Sequence, residues 1–148
     1  FSEAQGMTVH VSENIFTQLW RKFMLIAPWG GLGALTRSPI GVIRSMPETR
    51  QLLLASIREV YDVARSNKIK MTPKSVDGTI AFIDQLPADG TASMQRDIMN
   101  GRPSELREQN GAVMRYGERG RIDTPVNRFI YYSLLPLERK AREDESFG

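Results

Sequence analysis

Proline residues divide this sequence into segments of helical length, and this division constrains the fold more than any other feature. Proline suits the first turn of a helix, where its missing N–H is not needed. Such predicted helix starts are Ser38-Pro39, Met46-Pro47, Thr72-Pro73 and Thr124-Pro125. At the second of them, Ser45 and Glu48 complete a predicted capping box. Apolar residues between the starts recur with helical period, and no period-two pattern follows residue 11. The sequence therefore predicts an all-α domain, a bundle of six or seven helices.

The first residues predict a different structure. Residues 8–11, Thr-Val-His-Val, alternate as in a short β-strand and follow a glycine turn. A lone strand needs a sheet to join. We therefore expect residues 1–11 to be the end of a preceding domain, with the end of a helix and a last strand. Residues 12–148 are expected to form the helical domain, with Ser12 as the first helix cap.

Composition excludes several classes of function. The 148 residues contain no cysteine and one histidine, so disulfides, a zinc site built on histidines and a Ser-His-Asp triad are excluded. The lack of cysteine also suits a reducing cytoplasm. The longest apolar run, around residues 23–29, is too short to cross a membrane. Lysine and arginine alternate with acids despite a net charge of +3, which argues against nucleic-acid binding.

The stretch 93–111, SMQRDIMNGRPSELREQNG, has the densest mixture of acids, guanidinium groups, hydroxyls and amides, and indicates a binding site. Ser93 and Glu105 can also be read as a helix cap and a first-turn acid, and Asp97 as an ion-pair partner of a nearby arginine. Lys22 shares a helix face with Leu19 and Ile26, where it could act in acid/base chemistry or simply cover apolar surface with its methylenes. Residue types alone leave these alternatives open.

Three blocks in this order resemble one family. LWRKF at 19–23 contains a Trp-x-Lys helix motif, the stretch 93–111 follows about seventy residues later, and TPVN at 124–127 opens the last helix. Together they resemble the C-terminal domain of ketopantoate reductases (2-dehydropantoate 2-reductases), over nearly the whole chain from about residue 11 to 140. The resemblance implies a helical bundle similar to the C-terminal domain of 6-phosphogluconate dehydrogenase, attached to an N-terminal Rossmann domain.

The resemblance also implies roles for single residues. Lys22 would protonate the keto oxygen as hydride arrives, and Glu105, twelve residues after Ser93, would bind the substrate hydroxyl and belong to the catalytic pair. Ser93 would help to hold the substrate carboxylate. Asp97 and Asn110 match the motif too, and are expected among the substrate-binding residues as supports of the site. No metal is implied.

For the whole protein, the resemblance implies a cytoplasmic oxidoreductase of pantothenate biosynthesis that uses NADPH and forms a homodimer. The NADPH site would lie mainly in the Rossmann domain. This chain by itself is therefore expected neither to bind the cofactor nor to be active. Its expected partners are the 2-keto acid substrate, its own Rossmann domain and a second copy, with neither nucleic acid nor membrane among them.

The chain departs from the family at three positions. The family usually has asparagine four and eight residues after the lysine and three residues before the serine, and this sequence has Ile26, Gly30 and Gly90. The expected substrate is therefore 2-dehydropantoate or a related, less polar 2-keto acid. The alternative hypothesis is a helical oligomerisation module whose catalytic polar groups have decayed.

Overall fold

A computed structural model of the protein describes residues 2–147, and describes side-chain surroundings for residues 15–144. Between residues 2 and 147 the backbone forms seven helices and no strand. The helices are α1 Ser2–Thr36, α2 Ile40–Ser45, α3 Pro47–Ser66, α4 Pro73–Gln85, α5 Ser93–Met99, α6 Asn110–Gly120 and α7 Pro125–Phe147. The predicted all-α class is confirmed.

The short strand predicted at residues 8–11 is wrong, because these residues belong to α1. A strand needs the N–H and C=O groups of a neighbouring strand, and the described part of the chain contains none, whereas a helix satisfies its backbone groups internally. The side chains of residues 8–11 lie outside those described. The domain boundary predicted after residue 11 stays a prediction.

Helix α1 is the central element and packs against α3, α5 and α7. It continues through Pro28 without a break. Its glycines allow close helix packing: a Cβ on Gly31 would lie 2.5 Å from Cγ2 of Ile130 in α7. A side chain at this position would force the two helices apart.

The face of α1 that packs into the core is not the apolar face that the sequence indicates around Lys22. Trp20, Met24 and Ala27 are buried in the core. By contrast, Ile15 and Leu19, on the same face as Lys22, are 54% and 41% exposed. The other core residues come from every other helix, above all from α3 and α7, and include Leu53, Ile57, Val60, Val63, Val113, Ile130 and Leu134.

Two predicted caps differ from the structure. The capping box predicted at Ser45 is wrong: Ser45 ends α2, and Met46 precedes α3 without a side-chain cap bond. Reading Glu105 as a first-turn acid also predicts that Ser104 caps a helix, but α6 begins at Asn110. Ser104 accepts a hydrogen bond from the Leu106 N–H, 3.2 Å away, within an intervening turn.

Candidate active site

A cleft of about 320 Å³ lies between α1, the start of α5 and the turn that precedes α6. Its lining combines cations, an acid, hydroxyls, an amide and apolar surface. The lining residues are Lys22, Ile26, Trp29, Thr91, Ala92, Ser93, Met94, Arg96, Glu105 and Gln109. The fold therefore brings together two segments that are about seventy residues apart in the sequence.

Three of the predicted site residues line this one cleft: Lys22 from α1, Ser93 from the first turn of α5, and Glu105 from the turn before α6. All three side chains are exposed. Lys22 makes no hydrogen bond or ion pair with the described residues. An ammonium, a hydroxyl and a carboxylate are thus available to a molecule in the cleft.

A buried glutamine holds Glu105. Gln109 is 3% exposed, and its Nε2 donates a hydrogen bond to Oε2 of Glu105 at 3.2 Å. The Oε1 atom of Gln109 is buried and has no partner among the described residues. Sequence reasoning missed Gln109, because helical periodicity does not reveal a turn that brings residues 105 and 109 to one side of a cleft.

The turn that carries Glu105 is fixed from α7. Glu138 is 2% exposed and accepts hydrogen bonds from the backbone N–H of Ser104 at 2.8 Å and from its Oγ at 3.1 Å. Arg142, one helical turn further along α7, donates to the Ser104 carbonyl at 3.0 Å. These charge-assisted bonds connect the last helix to the residue next to Glu105.

Two predicted site residues do not line the cleft. Asp97 forms an ion pair with Arg102 at 3.2 Å, the alternative that the sequence left open. Asn110 is buried, and its Nδ2 donates to the Ala27 carbonyl and to Oδ1 of Asn127, both at 3.1 Å. Asn110 therefore connects α1, α6 and α7 behind the cleft, and a direct substrate contact for either residue stays a prediction.

The three positions without the family's asparagine have different surroundings. Ile26 is half-buried and lines the cleft directly. At Gly30 a Cβ would lie 3.0 Å from Cε of Met94, so the methionine fills the space that a larger residue would need. At Gly90 a Cβ would approach the Pro87 carbonyl to 3.0 Å. The cleft near Lys22 is consequently more apolar than it would be with asparagine at these three positions.

The charges of the cleft favour an anion. Lys22 and Arg96 are cationic and Glu105 is anionic, which leaves one net positive charge on the lining. Among the residues whose side chains are described, no group of three or more His, Asp or Glu could hold a metal ion. None of the described helices has a stretch long and apolar enough to span a membrane.

Comparison with known proteins identifies the family. A sequence model of the family described as "Ketopantoate reductase PanE/ApbA C terminal" matches residues 14–138. The chain belongs to this family. The resemblance of the three sequence blocks is thereby confirmed.

Individual proteins resemble this ketopantoate reductase C-terminal domain in sequence and in fold. A 2-dehydropantoate 2-reductase from Pyrobaculum aerophilum is 32% identical over 141 residues, which cover 95% of this chain and 48% of that protein. A dimeric ketopantoate reductase from Staphylococcus aureus has the same fold, with a TM-score of 0.79 at 22% identity, over 84% of this chain and 44% of the other.

A third protein with this fold, a D-mandelate dehydrogenase solved with NADH and anilino(oxo)acetate, has a TM-score of 0.76 at 22% identity, over 87% of this chain and 42% of that one. The chain therefore spans about half the length of the proteins that it matches.

Proposed function

We propose that this chain is the substrate-binding and dimerisation domain of an oxidoreductase that reduces a 2-keto acid, either 2-dehydropantoate or a related, less polar acid. The observation that carries the proposal is the meeting of Lys22, Ser93 and Glu105 on one cleft with a net positive lining. Membership of the ketopantoate reductase family supports it. A cytoplasmic location and a role in pantothenate biosynthesis stay predictions from the sequence.

Each of the three residues has a chemical role in this proposal. Reduction of a ketone builds negative charge on its oxygen, and the Lys22 ammonium stabilises that charge and donates the proton. Glu105 accepts a hydrogen bond from the substrate hydroxyl, and Gln109 holds its other carboxylate oxygen in place. Ser93 donates to the substrate carboxylate. Glu105 thus fixes the orientation in which the ketone faces Lys22.

The hydride donor is a separate question. A dinucleotide pyrophosphate binds at a glycine-rich loop between a strand and a helix, and residues 2–147 contain no strand, so the described residues do not fit such a cofactor. We propose that the full-length protein binds a reduced nicotinamide cofactor, NADPH by the sequence prediction, which would supply the hydride. The D-mandelate dehydrogenase relative was solved with NADH, so both cofactors need testing.

In this proposal the cleft selects its substrate by polarity as well as by charge, and Ile26 in the lining supports a less polar keto acid. We propose testing the full-length protein with NADPH and with NADH against 2-dehydropantoate, 2-oxoisovalerate and phenylglyoxylate. We expect at least one acid to be reduced, seen as loss of absorbance of the reduced cofactor. No turnover of any acid with either cofactor would contradict the proposal.

The alternative function is a helical oligomerisation module. It is favoured by large apolar side chains exposed on α7, where Phe129, Tyr132 and Leu137 are all more than half exposed. Such side chains fit a dimer interface in an enzyme equally well. Light scattering combined with the cofactor assay separates the two hypotheses, because a module without catalysis would form the oligomer and show no hydride transfer.

A further inference from the structure

Arg96 is the second cation of the cleft, and its guanidinium group is held in place. It stands in α5, and its Nη1 donates to the Thr91 carbonyl at 2.5 Å and to Thr91 Oγ1 at 2.9 Å. Both acceptors belong to one residue that also lines the cleft. The contacts restrict an otherwise flexible side chain, so little further ordering is required when a ligand binds.

The rest of the guanidinium is available for an acceptor. No described carboxylate lies within ion-pair distance of Arg96, and its Nε and Nη2 have no partner among the described residues. Arg102, six residues further on, differs: it is paired with Asp97 and does not line the cleft. Two arginines of one short stretch therefore have different surroundings.

The chemistry of this edge matches a carboxylate. The N–H groups on Nε and Nη2 of an arginine are parallel and match the two oxygens of a carboxylate in a bidentate pair. A lysine ammonium is a point charge without this geometry. Ser93, one turn earlier on α5, adds a hydroxyl to the same lining, and Lys22 lies across from it on α1.

We propose that Arg96 is a substrate-binding residue that recognises the carboxylate of the 2-keto acid through Nε and Nη2, with Ser93 as its neighbour. This proposal rests on the proposed function and adds to it the reason for selecting acids over neutral ketones. Lys22 is then free for the ketone oxygen, since the carboxylate charge is matched by a different cation.

The test compares an acid with its neutral ester in the full-length protein. The 2-keto acid that is reduced best and its methyl ester are measured with the wild type, Arg96→Gln, Arg96→Lys and the control Arg102→Gln. For Arg96→Gln we expect kcat/KM for the acid to fall about 10- to 100-fold, mainly through KM. The ester should change less than about twofold. Arg96→Lys should recover part of the loss, and Arg102→Gln should alter neither substrate.

Two kinetic results would overturn the proposal. An equal loss for acid and ester would mean that Arg96 only maintains the structure, and unchanged kinetics for the acid would mean that it does not bind the carboxylate.

A binding experiment separates this proposal from the proposed function. Pantoate, a carboxylate, and its neutral lactone are titrated into each variant. One readout is tryptophan fluorescence, to which Trp29 in the cleft lining contributes, and the other is calorimetry. If the wild type binds pantoate but reduces no keto acid, the proposed function fails, while weaker pantoate binding by Arg96→Gln still supports the carboxylate site. If the wild type and Arg96→Gln bind pantoate with equal affinity, the proposed carboxylate site at Arg96 is overturned.

Discussion

Gln109 controls how Glu105 faces the cleft, because its buried amide donates to one of the two carboxylate oxygens. In Gln109→Leu the side chain keeps its volume and loses this hydrogen bond. We expect kcat/KM to fall about tenfold for a 2-keto acid that carries a hydroxyl, and much less for 2-oxoisovalerate, which lacks it. The matched control is Gln85→Leu, at an exposed position at the end of α4. Equal losses on both substrates would show that the glutamine acts on stability alone.

Ile26 is the departure from the family pattern that contacts the cleft directly. Ile26→Asn would place an amide next to Lys22 on the same helix face. We expect the ratio of kcat/KM for 2-dehydropantoate to that for 2-oxoisovalerate to rise about tenfold, because an amide can hydrogen-bond the more polar acid. Leu19→Asn, on the same face outside the cleft, is the control. A ratio that does not change would remove Ile26 from the determinants of specificity.

For individual residues, the sequence predicted part of the candidate site. Lys22, Ser93 and Glu105 follow from the resemblance to a known family, and the structure places all three on one cleft. Arg96 and Gln109 were missed, since a locked guanidinium and a buried amide depend on contacts that residue spacing does not encode. Both lie within the stretch 93–111, so its density of polar groups was the available signal.

The element that sets the geometry is α1, whose glycines let other helices approach closely. In Gly31→Ala the added Cβ would lie 2.5 Å from Ile130 and 3.1 Å from Nδ2 of Asn110. We expect the free energy of unfolding to fall by about 1–3 kcal/mol, measured by denaturant titration. The control is Gly78→Ala in α4, where a Cβ would have no atom within 4 Å. That substitution should raise the free energy of unfolding by about 0.4–1 kcal/mol, and a loss as large as that of Gly31→Ala would contradict the packing argument.

An ion pair between α3 and α4 predicts a pH dependence of stability. Arg50 donates to both carboxylate oxygens of Asp84, at 2.8 and 3.0 Å, and these hydrogen bonds lower the pKa of Asp84 below its ordinary value. The pair therefore stabilises the fold above the unfolded pKa of about 3.9, and this contribution is lost as the pH falls through the lower folded pKa.

Because both side chains are partly exposed, the contribution is at most about 1 kcal/mol. Asp84→Asn should reduce the free energy of unfolding by up to about that amount at pH 7, and by progressively less as the pH falls below the unfolded pKa of about 3.9. Asp89→Asn, at an exposed position, serves as the control. A difference between wild type and Asp84→Asn that persists undiminished near pH 2 would contradict the assignment.

The helix starts illustrate what local sequence can determine. Thr72 precedes α4 and Thr124 precedes α7, as the Thr-Pro pairs predict, because proline favours the first helical turn whatever lies around it. Ser104 behaves differently, since Glu138 from the far end of the chain binds its N–H and Oγ and holds a turn in place of a helix. A contact across 34 residues cannot be read from a four-residue motif.

In the whole molecule, the all-α class follows from the helical period of the apolar residues and from the prolines that divide it into segments. The cleft follows from how α1, α5 and the turn before α6 pack. The chain spans 48% of the length of its Pyrobaculum aerophilum relative. We therefore propose that activity belongs to a longer protein, in which the predicted Rossmann domain would cover the exposed side of Lys22 and exclude water from the reaction.

The proposed reaction depends most directly on Lys22. In the full-length protein we expect Lys22→Ala to lower kcat about 10²- to 10⁴-fold for every 2-keto acid that the wild type reduces, because the ketone oxygen loses its proton donor. Arg21→Ala is the matched control, since Arg21 is the adjacent exposed cation of α1 and lines a different groove. If Lys22 is the proton donor, kcat falls by this factor in Lys22→Ala and stays within about twofold of wild type in Arg21→Ala. A Lys22→Ala variant that reduces the accepted keto acids at the wild-type kcat would contradict this role.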